Sequence, residues 1–212
     1  DGINKAEELL RQAQSGEVEV YHSGSKAVKQ ESTSGKESTG HKIYKHLMNG
    51  VSHMLPFVVG GGILIAIAFL IDGMSVDLAA LAPDERANFG TITPIAAMFK
   101  SIGGTAFGFM LPILAGFIAM SIADRPGLVV GFVGGAIAAN GKSGFLGALV
   151  AGFLAGYLII GMKKLFEKLP ESLDGIKTVL LYPLFGVFII GVVMTYVVEP
   201  PIGALNTLLN NG

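Results

Sequence analysis

The chain has 212 residues, 51% of them hydrophobic, with 15 Lys and Arg against 16 Asp and Glu, 30 Gly and no Cys. Without cysteine these residues hold no disulfide, thiolate metal site or cysteine nucleophile, and the near-neutral balance leaves no basic footprint for nucleic acid. One or two soluble domains, the usual reading of this length, are excluded by where the charges fall. Nearly all lie in 1–46, 72–100, 124–125 and 163–177, and the runs between them can cross a bilayer, which takes roughly 17–25 apolar residues as helix.

In chain order, residues 1–20 hold one short amphipathic helix around Leu9 and Leu10. It is too short to persist alone in water and reads as the tail of a larger domain. Residues 21–41, rich in Ser, Gly, Thr, Lys and Glu, read as a flexible linker. The first forty residues are polar and carry no secretory signal pattern, so the first apolar run is expected to remain as a membrane anchor.

The expected architecture is all-α and membrane-embedded, with about five spans at 53–71, 104–123, 127–140, 144–162 and 178–198. Residues 72–100 form a polar loop with Asp72, Asp77, Asp84, Glu85 and Arg86. The segment 127–140 is short and glycine-rich, and reads as a third span or a re-entrant segment. Lys and Arg in short loops set orientation. Lys42 and Lys45 precede the first span, and Lys163, Lys164, Lys168 and Lys177 lie between the fourth and fifth. Both groups fall on one side only if 127–140 crosses, which favours five spans with a cytoplasmic N-terminus.

Gly152 and Gly156, extended by Ala148, form a small-xxx-small face, and Gly131 and Gly135 repeat the spacing. Such residues let helix backbones approach in lipid, so they read as helix-packing positions of a multi-helix bundle, with ligand contact as the alternative. Asp124-Arg125-Pro126-Gly127 interrupts an uncharged stretch. Proline then glycine is type II turn chemistry, which predicts a tight interfacial turn; a substrate-binding pair is the other reading. His53, at the start of the first span, is a boundary residue or a ligand. Glu199, after the last span, sits at the interface or faces a polar cavity. The Pro200-Pro201 pair behind it is expected to stop the helix. His53, Asp124, Arg125 and Glu199 are therefore the candidate substrate-binding or gating residues. No catalytic residue, metal site or cofactor motif is expected, and Gly60-Gly61-Gly62 lacks the Lys-Ser/Thr of a phosphate-binding loop. The span centres carry no acid or histidine, which speaks against an ion-coupled carrier.

Three stretches, "IYKHLMNGVSHMLPFVVGGGILIAIAFLI", "SIADRPGLVVGFVGG" and "SGFLGALVAGFLAGYL", in this order and spacing, resemble the fructose-type enzyme IIC of the bacterial phosphoenolpyruvate-dependent sugar phosphotransferase system. The resemblance covers about residues 41–205, and "DGINKAEELLRQAQ" looks like the end of a preceding IIB domain. It implies three parts: a IIB remnant over 1–20, a linker over 21–41, and the N-terminal part of IIC over 42–212. It also implies a dimeric inner-membrane permease that carries fructose or a related sugar across. Phosphorylated IIB, supplied through enzyme I, HPr and IIA, then transfers its phosphoryl group to the sugar. The resemblance implies that much of the sugar site lies in a second half of IIC and that the phosphoryl-carrying cysteine lies in IIB, so this stretch alone is not expected to be active. A membrane carrier fragment or assembly scaffold without phosphotransfer coupling is the alternative.

Overall fold

The computed structural model describes residues 38–77, 81–167 and 174–210. The expectations for residues 1–37 lie outside them. Eight α-helices occur among the described residues: α1 (Thr39–Ser75), α2 (Pro83–Arg86), α3 (Pro94–Gly108), α4 (Met110–Asn140), α5 (Gly144–Phe166), α6 (Asp174–Ile176), α7 (Tyr182–Val193) and α8 (Glu199–Asn210). Two π-helical segments, Lys177–Leu181 and Met194–Val198, flank α7. Helix is what this sequence dictates in lipid, because every backbone N–H and C=O must be satisfied within its own segment.

Among the described residues, four helical stretches are long and apolar enough to cross a membrane: Thr39–Ser75, Pro94–Asn140, Gly144–Phe166 and Thr178–Leu208. The second is folded back on itself. Ala123 (φ −129°, ψ 16°) and Asp124 (φ 60°, ψ −157°) leave helical geometry inside α4. A Cβ on Gly127, Gly131 or Gly135 would meet the backbone oxygen of Ala119, Ala115 or Leu111 respectively. One arm climbs four residues as the other descends four, so 110–122 and 125–140 are antiparallel arms of a hairpin. The chain thus makes five passes through one bundle.

The other passes are placed by similar close contacts. Gly61 and Gly103 set α1 against α3, where a Cβ on either would lie 2.7–2.8 Å from the other's carbonyl oxygen. Gly152 lies on Ala115 of the first arm, and Gly134 of the second arm faces Ala151 of α5 and Ile190 of α7. The central core is correspondingly small-sided, with Ala115, Ala119, Ala148, Ala151 and Ala155 fully buried beside Ile159, Ile190 and Met194. Large side chains such as Leu55, Val59, Ile63 and Leu70 face outward from α1, where lipid receives them.

The structure changes four expectations. The polar loop is shorter than 72–100: α1 runs on to Ser75, and Pro94 opens α3 with Thr93 as N-cap, its Oγ1 accepting from Ala96 N–H at 3.4 Å. The helix likewise starts at Thr39, inside the stretch read as linker. The reversal at 123–127 is not a type II turn on Pro126-Gly127. The positive φ falls on Asp124, Pro126 opens the second arm, and Gly127 is buried against the first. Proline's fixed φ suits a first helical turn, and glycine's missing side chain serves close approach instead of a turn.

Finally, Pro200-Pro201 does not stop the last helix, which continues as α8 to Asn210. The π-helical Met194–Val198 precedes the prolines, and its widened turn accommodates two residues that cannot donate to a regular α ladder. Pro183 sits behind Lys177–Leu181 in the same way.

Candidate functional site

The alternating passes sort the polar residues into two ends. The tip end holds the start of α1, the Ala123-Asp124 break and the end of α5. The opposite end holds the α1–α3 connection, the 141–143 connection and α8. The second arm separates them by about 22 Å, at 1.5 Å per helical residue. Asp124 and Arg125 belong to the tip end and Glu199 to the opposite one, so the four candidate residues form no single site.

At the opposite end, Glu199 opens α8 and turns its carboxylate onto the connection between α4 and α5. It accepts the Lys142 backbone N–H at 2.9 Å and the Ser143 hydroxyl. These groups precede the first turn of α5, where helical N–H groups lack partners and the dipole favours negative charge. Asn206 Nδ2 adds a bond to the Lys142 carbonyl at 2.9 Å. Gly141 has to be small, since a Cβ there would overlap the Glu199 carboxylate. Open grooves flank this contact. One of about 670 Å³ is lined by residues including Lys142, Glu199, Gly203 and Thr207. The other, about 550 Å³, is lined by residues including Ile137, Asn140, Thr195 and Glu199. Glu199 lines both.

At the tip end, Asp124 holds a positive-φ conformation that costs a non-glycine residue of order 1–3 kcal/mol. Lys163 braces it: its ammonium donates to the Ala123 carbonyl at 2.9 Å and pairs with Asp124 Oδ2 at 3.1 Å. The Asp124 carboxylate is otherwise open to its surroundings, and Arg125 is exposed beside it. His53 lies deeper on α1, exposed, its ring stacked on Phe117 at 3.8 Å. Its Nδ1 donates to the Asn49 carbonyl at 2.8 Å. His46 Nδ1 bonds Ser121 Oγ at 2.8 Å, and that hydroxyl donates to the Ile118 carbonyl.

The helix-packing candidates all lie in contact. Gly131 and Gly135 line the α4 hairpin, Gly152 meets Ala115 and Ile118, Gly156 meets Ile122, and Ala148 is fully buried.

Sequence reasoning missed a buried acid with four hydrogen bonds. Asp72 is fully buried, its Oδ2 accepting Gly90 N–H and Ile92 N–H at 2.8 Å each. Its Oδ1 accepts Thr93 N–H at 3.0 Å and the Thr93 hydroxyl at 2.6 Å. The available signal was an acid closing an apolar run, followed by a Thr-Pro helix start. Among the described residues, no group of three or more His, Asp or Glu is placed to hold a metal ion.

A family model described as "Phosphotransferase system, EIIC" matches residues 48–212. The chain is 48% identical to the "PTS system fructose-specific EIIABC component" of Bacillus subtilis (strain 168), over 99% of this chain and 33% of that protein. It is 52% identical to the "Fructose permease IIC component" of Bacillus amyloliquefaciens, over 57% of this chain and 40% of that one. Against the "PTS system fructose-specific EIIB'BC component" of Escherichia coli (strain K12) it is 41% identical, over 89% and 31%. The chain thus spans between a third and two fifths of the length of the two Bacillus proteins and somewhat less of the third. No solved structure matches.

Proposed function

The chain belongs to the EIIC family of the phosphotransferase system, and from that premise we propose that it is part of the membrane sector of a fructose permease. Transport in this reading is coupled to phosphorylation of the sugar by a phosphorylated IIB domain, charged through enzyme I, HPr and IIA. The observation that carries it is the 48% identity to a fructose-specific component along 99% of this chain. The bundle supports it physically: five apolar passes with close glycine contacts make a rigid scaffold, and the polar groups gather at its two ends.

The tip end faces the cytoplasm of a bacterial inner membrane in this proposal. Lys42, Lys45, Arg125, Lys163 and Lys164 gather there, against Arg86, Lys100 and Lys142 at the other end, and short cytoplasmic loops are the lysine- and arginine-rich ones. Asp124 and Arg125 then face IIB, Glu199 faces the outside, His53 lies along the path between, and the permease works as a homodimer.

The test is sugar uptake by the whole permease in a strain deleted for its own fructose system. Fructose accumulates as its phosphate, and replacing the phosphoryl-carrying cysteine of IIB with serine abolishes uptake. Uptake undiminished by that replacement overturns the proposal.

A further inference from the structure

The last helical stretch, Thr178–Leu208, is not uniform in backbone. Met194–Val198 is π-helical, and Pro200-Pro201 follow within two residues. A π segment has a weaker hydrogen-bond ladder, and the prolines remove two donors from the turn after it, so bending is easiest here.

Just beyond this weak point, α8 is tied to the 141–143 connection. The Glu199 carboxylate bonds Lys142 N–H and the Ser143 hydroxyl, and the Asn206 amide bonds the Lys142 carbonyl. Gly203 is buried where a Cβ would come within 3.0 Å of the Lys142 Cβ. Two of these bonds are made by one carboxylate, and charge-assisted bonds are about twice as strong as neutral ones. Glu199, whose carboxylate is closed on Gly141, lines both flanking grooves.

The geometry points to a hinged latch: Glu199 holds α8 closed on the 141–143 connection, and its release swings α8 about Met194–Val198 and joins the two grooves into one cleft. The swing itself does not depend on the transport reading; only the use of the cleft, as an opening on the side away from the tip end, rests on it.

Spin-label distance measurements on the full chain test the latch without any sugar. These 212 residues hold no cysteine, and with the IIB cysteine of the whole permease replaced by serine the introduced ones are labelled cleanly. Leu205→Cys with Phe145→Cys, both exposed, reports α8 against α5; Val129→Cys with Leu154→Cys, also exposed, reports the second arm of α4 against α5 as a control. With Glu199 intact one short distance dominates the reporter pair. Glu199→Gln keeps the shape and loses the charge, and Ser143→Ala removes one donor. Each raises a longer-distance population about tenfold, the shift expected for about 1.4 kcal/mol lost from the closed state, while the control pair is unchanged. An unchanged reporter distribution in both variants overturns the latch. Broadening of the control pair in both also overturns it, because the contact then supports the whole bundle; if only Glu199→Gln broadens the control, Ser143→Ala decides.

Discussion

Replacing Asp72 with alanine lowers the melting temperature of the detergent-purified protein by about 10 °C, taking roughly 3–5 kcal/mol lost and 2–4 °C per kcal/mol for a chain of this size. The size follows from what is left behind. Three backbone N–H groups, of Gly90, Ile92 and Thr93, and the Thr93 hydroxyl all end on this one carboxylate. Losing the acceptor leaves those donors without a partner, each at a cost of about 1–3 kcal/mol where water cannot reach it. Asp72→Asn is milder: one oxygen still accepts two bonds, and the amide group meets donors on its other side. The order wild type, Asn, Ala in thermal melts checks the account, and equal melting of wild type and alanine variant contradicts it. Nearby contacts explain why the site is a knot. Lys100 donates to the Phe89 carbonyl at 3.1 Å and lies 5.2 Å from the Phe69 ring centre, and Phe69 stacks on Phe89. Together they fasten α1 to α3 at the end away from the tip.

Gly131→Leu should do more damage still. A Cβ at Gly131 meets the Ala115 carbonyl oxygen at 2.7 Å and the Gly116 Cα at 2.8 Å, both backbone atoms that cannot rotate away. The hairpin arms must part, and every contact along their seam loosens with them. Overpacking usually costs about 1–3 kcal/mol and more where backbone must move, so monodisperse protein falls to a small fraction of the wild-type yield. Gly104→Leu is the matched control, because nothing lies within 4 Å of a Cβ there; it extracts and melts like wild type. Equal yields from the two variants, read by size-exclusion chromatography, contradict the hairpin seam.

These positions show what a sequence of this kind reveals. The five apolar passes are visible because lipid enforces helix and punishes charge, so the breaks mark the ends. Gly131, Gly135, Gly152 and Gly156 are visible as four-residue spacings. The chemistry of the breaks is harder to read. Pro126-Gly127 marks the right place for a reversal, yet the strained residue is Asp124, because Gly127 is consumed by close packing on Ala119. Pro200-Pro201 looks like a terminus, yet a π-helical turn ahead of it lets the helix run on. Asp72 hides because its partners are mostly backbone N–H groups from 18 to 21 residues away, and no side-chain pattern announces those. Glu199 and Ser143 meet across 56 positions, a distance only the folded bundle closes.

In the proposed topology the chain crosses the membrane five times, with the α4 hairpin tip on the cytoplasmic side. Single cysteines at Arg125 and Lys142, tested with a membrane-impermeant maleimide on sealed vesicles of both orientations, address it directly, since both positions are exposed and stand at either end of the second arm. Arg125→Cys is modified only in inverted vesicles and Lys142→Cys only in right-side-out ones. Modification of both from the same side would mean that residues 125–140 do not cross.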